Sequence, residues 1–287
     1  MSLPVAQSYA YCRRVARNRA RNFYYSFLLL PRAEHDAICA VYAFMRRSDD
    51  LSDDPAESPA AAQAAMERWR AELAAALNGE SGDYPGWPAL RDAVARYRIP
   101  HRYFHEMIDG VTLDLAPREF RTFEELARYC YLVASTAGLT LLHVLGFESP
   151  EALALGEKCG IAFQLTNILR DVREDAARGR VYLPSEDLAR FGVRREDILA
   201  GRDSPALREL LRFEASRARA LYDESAAVVG MVRRRNRAAL AALIAIYRRL
   251  LERIERSNFD VLARRIRVPA WEKLWLMGTA RMFLRLR

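Results

Sequence analysis

The sequence predicts a single all-α domain, on three observations. Ala, Leu and Arg, all good helix formers, dominate the chain. No stretch shows the strict polar–apolar alternation of a strand. The breaks between helical stretches are Gly- and Pro-rich, and none has the polar, low-complexity character of a domain linker. With 287 residues, 51% hydrophobic, and no internal repeat, residues 1–287 read as one domain with a sizeable core.

Helices are expected over roughly 5–20, 33–53, 58–78, 88–97, 100–114, 123–145, 151–176, 204–232, 236–256 and 269–285. Asp54-Pro55 stops the second of these. Gly79 to Pro88 holds three Gly and two Pro and reads as a surface loop. Gly146 to Pro150 separates two apolar helices. Gly179 to Pro205, punctuated by Pro184, Gly192 and Gly201, has room only for short helices. The stretches 123–145 and 151–169 are apolar on all sides, which places them at the centre of a bundle. Ala134, Ser135, Ala137 and Gly138 line the first of them. Small side chains there permit close backbone approach or an open apolar channel, and the sequence leaves both readings open.

The net charge is +8, and of 45 Lys and Arg only Lys158 and Lys273 are Lys. Such a preference reflects genome composition or a warm habitat more than function, although Arg suits bidentate phosphate contacts. A basic surface can meet anionic lipid or nucleic acid. No zinc-finger spacing, RNP-type aromatic motif or continuous basic helix is present, which argues against nucleic acid. Cys12, Cys39, Cys130 and Cys159 are scattered, as expected of reduced thiols in a cytoplasmic protein. Arg13, Arg14, Arg17, Arg19 and Arg21 precede no apolar segment of the signal-peptide type. The longest apolar run, Ala238 to Tyr247, is ten residues, too short to span a bilayer. The basic, apolar tail Arg281-Met-Phe-Leu-Arg-Leu-Arg287 reads either as an interfacial anchor or as a helix end packed on the bundle.

Two acidic clusters carry the chemistry: Asp49-Asp50-Leu51-Ser52-Asp53-Asp54 and Asp171-Val172-Arg173-Glu174-Asp175. Residues four apart share a helix face, so Asp49/Asp53 and Asp171/Asp175 each form a carboxylate pair. Facing pairs would cage Mg²⁺, which takes carboxylates together with substrate phosphates. Gln164, Asn167, Asp171 and Asp175 fall in one stripe, opposite Ile161, Leu165, Ile168, Leu169 and Val172. A buried amide without partners costs about 1–3 kcal/mol, and a ligand would supply those partners. Arg178, Arg180 and Tyr182 follow closely enough to close over an anion. Arg46 shares the face of Asp49 and Asp50, as expected where a diphosphate bridges metal and guanidinium. The plainer reading of the second cluster is a solvated face laced by pairs such as Glu174–Arg178, and that of the first is a surface cluster capping the loop after Pro55 or a weak calcium site. The EF-hand, zinc, nucleotide-loop, Rossmann and serine-hydrolase motifs are all missing.

The chain resembles the squalene/phytoene synthase family, the head-to-head prenyl transferases, over roughly residues 9–280. Four segments carry the resemblance in order. They are Asn22-Phe-Tyr-Tyr-Ser-Phe27 with Leu30-Pro31, then Tyr42-Ala-Phe-Met-Arg-Arg-Ser-Asp-Asp-Leu-Ser-Asp53, then Tyr129-Cys-Tyr-Leu-Val-Ala-Ser-Thr-Ala-Gly138. The last is Gln164-Leu-Thr-Asn-Ile-Leu-Arg-Asp-Val-Arg-Glu-Asp175, running on to Arg180-Val-Tyr-Leu-Pro184.

The resemblance implies an isoprenoid-synthase helical bundle around a central cavity, with Mg²⁺ held by Asp49, Asp53, Asp171 and Asp175. It implies substrate contacts from Arg46, Asn22, Tyr25, Tyr247, Arg264 or Arg265, and Lys273. Tyr129, Val133, Gly138, Leu141, Gln164 and Asn167 would line the reaction zone. Two farnesyl diphosphates would join through a cyclopropyl diphosphate, with NADPH as hydride donor where squalene is the end product. The chain is most like bacterial hopanoid-pathway squalene synthases: Asn22-Phe23 resembles one branch of them and Tyr24-Tyr25-Ser26-Phe27 its sister branch, although Arg19-Ala20-Arg21-Asn22 replaces the small hydroxyl residues common near the family's first phosphate site. The alternatives are a phytoene synthase using two geranylgeranyl diphosphates, or a non-catalytic relative acting as an assembly factor. A water-insoluble product also implies peripheral contact with the inner face of the membrane. The oligomeric state stays open.

Overall fold

Long apolar-faced helices wrap a central pair, as the sequence leads one to expect. The computed structural model describes residues 3–52, 58–116 and 118–283, apart from the side chains of 21–23, 59 and 283. The helices are α1 (Val5–Arg19), α2 (Arg21–Phe27), α3 (Arg32–Ser52), α4 (Pro59–Leu77), α5 (Trp87–Tyr97), α6 (Arg102–Thr112), α7 (Phe123–Cys130), α8 (Thr136–Leu145), α9 (Glu151–Ala177), α10 (Ser185–Arg190), α11 (Arg195–Leu199), α12 (Pro205–Glu224), α13 (Val228–Met231), α14 (Arg237–Arg256) and α15 (Ala270–Phe283). Among the described residues the only β pairing is a single bridge between Phe147 and Val232.

The helices start and stop where local chemistry directs. Ser58, Thr122 and Ser204 each accept the backbone N–H three residues on, capping α4, α7 and α12. Gly146 ends α8 with a φ of 69°, a conformation that costs glycine nothing.

The core explains how the acidic helices are held. Phe44 stacks on Trp69 at 5.5 Å, Trp69 on Trp87 at 4.5 Å, and Phe44 meets Phe104 edge-on at 5.4 Å. These rings lock α3, α4, α5 and α6 together. Trp69 Nε1 donates to Ser48 Oγ at 2.8 Å, which fixes α3 one residue from Asp49. On the other side α9 packs against α8, α12 and α14. Its buried Thr166 and the hydroxyl of Tyr222 on α12 share a 2.8 Å hydrogen bond.

Several elements differ from expectation. Residues 21–27 form a helix that no periodic stretch announces. The stretch 204–232 is two helices, because the chain turns at Ser225, whose hydroxyl donates to Tyr222 O (3.3 Å), an alternative to the helix ladder. The stretch 123–145 contains a π turn at Tyr131–Ser135. The helix over 151–177 is kinked at Asp171, with φ −103° and ψ 15°.

The small-residue stripe proves to do both of the things it permits. Ala134, Ala137 and Gly138 line an apolar chamber. Ser135 instead packs so tightly on α9 that a Cβ at Gly160 would lie 2.5 Å from its Cα. Gly160→Ala is therefore expected to cost about 1–3 kcal/mol of stability by overpacking. Gly138→Ala, where the nearest atom to a new Cβ is 3.8 Å away, is expected to be neutral or slightly stabilising. Urea unfolding of the two variants checks this, and equal losses would refute the packing difference.

The four cysteines are buried and free. Burial, the largest effect on each, pushes the thiols of Cys12, Cys39 and Cys159 up to about 12. No helix among the described residues is long and apolar enough to cross a membrane.

Candidate active site

The end of α3 and the middle of α9 face each other across a polar cavity of about 400 Å³. From α3 come Met45, Arg46, Ser48, Asp49 and Ser52. From α9 come Gln164, Asn167, Ile168, Arg170, Asp171 and Asp175. The predicted stripe Gln164–Asn167–Asp171–Asp175 thus lines the cavity throughout its length. Tyr129 and Val133 close the side, with Arg180 and Tyr182 from the loop after α9. The π turn Tyr131–Ser135 places Val133 at the junction with a second, apolar chamber of about 160 Å³. Met45, Val133, Gln164 and Asn167 border both spaces. Gly138, Leu141, Phe163, Phe27 and Leu243 are among the walls of the apolar one.

Charges of both signs meet at the cavity. Asp171 takes Arg170 Nε at 2.7 Å and Arg265 Nη2 at 2.8 Å. Arg265 also faces Glu174 at 3.6 Å. Arg46 pairs with Asp50, while its Nε is buried without a partner. Asn167 donates to Gln164 Oε1 at 3.3 Å, and its own Oδ1 is buried and unpartnered. Leaving such groups unsatisfied costs about 1–3 kcal/mol each, a cost that a polar ligand in the cavity would remove.

Asp175 is a buried carboxylate with other carboxylates beside it. Burial first, then the charge of Asp171, and then that of Asp114 push it up to about 7, against the pull of Arg180 and Arg178. Below about pH 4 Asp175 is protonated in both folded and unfolded chains. Between about pH 4 and 7 the unfolded chain ionises first, so stability falls as pH rises, and the loss is complete above about 7. Glu214, pushed up to about 7 chiefly by burial beside Arg217 and Asp187, contributes in the same sense. Asp175→Asn is expected to flatten the melting-temperature profile between pH 4 and 7, leaving the Glu214 share. An unchanged slope would refute the assignment.

Asp114 is a site residue that sequence reasoning missed. Tyr129 Oη donates to its Oδ2 at 2.8 Å and Tyr182 Oη to its Oδ1 at 3.1 Å. The two rings stack at 5.2 Å, and Arg180 donates to the Asp114 carbonyl at 2.9 Å. Burial pushes both phenols upward, so they stay protonated donors. Arg170, also missed, is mostly buried beside Asp171, its side chain 14% exposed.

Other predicted residues stand further from the cavity. Tyr247 lies behind it, fully buried against Phe163 at 4.4 Å. Burial raises its hydroxyl to about 12, and Arg170 and Asn167 hold it down. Between Arg264 and Arg265, the structure turns Arg265 to the acidic cluster. Arg264 is 69% exposed and faces Asp260 at 3.5 Å. Lys273 lies over the ring of Tyr25 at 5.1 Å, between α15 and α2, and neither lines the cavity. Asp53 and the side chain of Asn22 lie outside the described residues, as do Asp54 and Pro55. Among the described residues no three His, Cys, Asp or Glu side chains come together as a metal site on their own.

The arrangement can hold a polyanion at one end and an apolar chain at the other. Comparison with known proteins places the chain among relatives. A family profile described as Squalene/phytoene synthase matches residues 6–272. A 15-cis-phytoene synthase of Synechococcus elongatus is 38% identical, over 96% of this chain and 93% of its own length. Phytoene synthase 2 (chloroplastic) of Solanum lycopersicum is 37% identical, over 96% and 90%. Among solved structures, a dehydrosqualene synthase in complex with a ligand superposes with a TM-score of 0.90 at 31% identity, covering 99% of this chain and 98% of that one. Squalene synthase HpnC of Alicyclobacillus acidocaldarius gives 0.82 at 30%, covering 90% and 97%.

Proposed function

The chain belongs to the squalene/phytoene synthase family, and we propose that within this family of prenyl transferases it joins two C20 geranylgeranyl diphosphates head to head, giving phytoene. The observation that carries the reading is the polar cavity, bordered by both acidic segments and sharing Met45, Val133, Gln164 and Asn167 as walls with an apolar chamber. The choice of C20 rests on the sequence relatives, which at 37–38% identity are phytoene synthases. This displaces the C30 hopanoid-type product as the leading reading. The C30 product remains the second reading, favoured by the similarity in shape to a dehydrosqualene synthase and a squalene synthase.

The donor set fits Mg²⁺. Asp49, Asp171 and Asp175, with Asp53, would hold it, and a cation would offset the burial and the Asp171 and Asp114 charges that raise the Asp175 carboxyl. With too few protein ligands for a closed site, the remaining oxygens come from substrate phosphate and water. Bound there, the metal supplies Lewis-acid neutralisation of the leaving diphosphate. Because it requires ionised carboxylates, added Mg²⁺ should stabilise the protein more at neutral than at acidic pH.

The chain's own residues do the rest. Arg46, Arg170 and Arg180 line the cavity as fixed cations for a diphosphate. Asn167 and Gln164, at the border of the two spaces, orient the reacting end of the prenyl chain. Asp114 holds Tyr129 and Tyr182 as a stacked pair whose faces stabilise developing positive charge. The apolar chamber takes the hydrocarbon tail and keeps water from the allylic cation. A second ionisation from the cyclopropyl diphosphate and loss of a proton would give the C40 hydrocarbon, a sequence that needs no NADPH.

The test is incubation of purified protein with geranylgeranyl diphosphate and Mg²⁺, followed by gas chromatography–mass spectrometry. A C40 head-to-head hydrocarbon, lost on chelation, is expected. A head-to-tail or cyclised product, or none from folded protein, would overturn the proposal.

A further inference from the structure

α15 is turned inside out for a helix facing water. Two of its three charged residues, Glu272 and Lys273, are buried. Glu272 is 3% exposed and takes Arg249 Nη1 at 2.6 Å and Arg253 Nε at 2.8 Å. The outward stripe, at spacings of three and four, is instead Trp271, Leu274, Trp275, Gly278 and Met282. Trp271 is 67% exposed, Leu274 55%, Trp275 56% and Met282 55%. Four of the large apolar side chains exposed among the described residues thus lie on one face. A fifth, Leu28, follows α2, the helix on which α15 packs. A water-facing helix carries polar residues on this side, and a contiguous apolar face marks a contact surface.

The surroundings indicate which contact. No acid lies on the outer stripe; Arg281 of the same helix is exposed, as are Arg264 and Arg267 in the segment that leads into it. Leu28 also borders an open basin lined by Arg13, Arg14, Arg17 and Arg32. Asp36 takes Arg13 and Arg32 at 3.0 Å each, while Arg14 and Arg17 add two further guanidiniums to a basin whose walls include no acid. Indoles with an apolar face and an Arg rim are the composition of a bilayer interface. The place matters too. Phe27, the residue before Leu28, is a wall of the apolar chamber.

We propose that the outer face of α15, together with Leu28 and the basic basin beside α2, docks this protein on the surface of a membrane containing anionic lipid. The apolar stripe enters the headgroup boundary and the basin faces the lipid phosphates. The chamber is then walled, at Phe27, by the helix nearest the bilayer, where an insoluble hydrocarbon can leave.

Intrinsic fluorescence tests this without substrate, so the outcome is independent of the reaction assigned. Trp69 and Trp87 are each 3% exposed, and a change on adding vesicles therefore reports Trp271 and Trp275. Phosphatidylglycerol vesicles should shift the emission to the blue and sediment with the full chain. Phosphatidylcholine vesicles should do so weakly, and high salt should reverse the binding. The pair Trp271→Glu/Trp275→Glu should lower vesicle partitioning by about tenfold or more, with an unchanged far-UV spectrum. Leu274→Glu alone provides a second variant should the pair fail to fold. Arg14→Glu/Arg17→Glu should abolish the preference for anionic lipid. Absence of binding by the wild type at low salt, or equal binding by Leu274→Glu, would overturn the proposal. So would a lipid-free dimer that Leu274→Glu splits into monomers, since the face would then belong to a second copy.

Discussion

Asp171→Asn is expected to lower turnover by about 10²–10³-fold, the loss typical when one preorganised electrostatic group is removed, and to destabilise the fold as well. Asp171 is the shared partner of Arg170 and Arg265, at 2.7 and 2.8 Å. Loss of its charge leaves the mostly buried Arg170 without a counter-ion, which is costly in a partly desolvated site. Asp175→Asn should cut turnover comparably while raising stability at neutral pH. Burial and the neighbouring carboxylates already push Asp175 towards its neutral form. One motif therefore holds two carboxylates with opposite signs of stability change. Steady-state turnover and thermal unfolding of both variants check this. Wild-type rates in either would remove that carboxylate from the site, and equal signs of stability change would refute the electrostatic account.

Gly138→Phe should close the apolar chamber. A side chain at this position meets little of α9, since the nearest atom to its Cβ would be 3.8 Å away. The ring would instead occupy space bordered by Leu141, Phe163 and Val133. Turnover of the C20 substrate is expected to fall by about 100-fold, the upper range for a steric mismatch in an apolar pocket. The shorter C15 substrate should lose less. Rates for the two substrates, measured on the same preparation, decide the point. An unaffected C20 rate would mean that the prenyl chain lies elsewhere.

What could be read from the sequence was what lies within one helix. The stripe Gln164–Asn167–Asp171–Asp175 is an i, i+3, i+4 pattern, and all four residues reach the cavity. Arg46 and Asp49 follow from the same periodicity on α3. Asp114 gave no such signal, because its partners Tyr129 and Tyr182 lie 15 and 68 residues away and it has no acidic neighbour one turn along. Arg170 looked like one more Arg in an Arg-rich chain. The π turn and the kink at Asp171 leave no mark on residue spacing, yet they set which side chains face the cavity. The choice between Arg264 and Arg265 needed the chain path after α14. The helix boundaries were legible to within a few residues because Pro, Gly and Ser mark them, as at Ser58-Pro59 and Ser204-Pro205. Substrate length was not legible, since the chamber is walled by α2, α3, α8, α9 and α14 together.

The most direct measurement is a competition. Equimolar farnesyl and geranylgeranyl diphosphates are supplied together with Mg²⁺, and the hydrocarbons are resolved by mass. C40 phytoene is expected to predominate over the C30 product from the first turnovers. A predominance of C30 product would contradict the C20 assignment and return the protein to squalene-type chemistry.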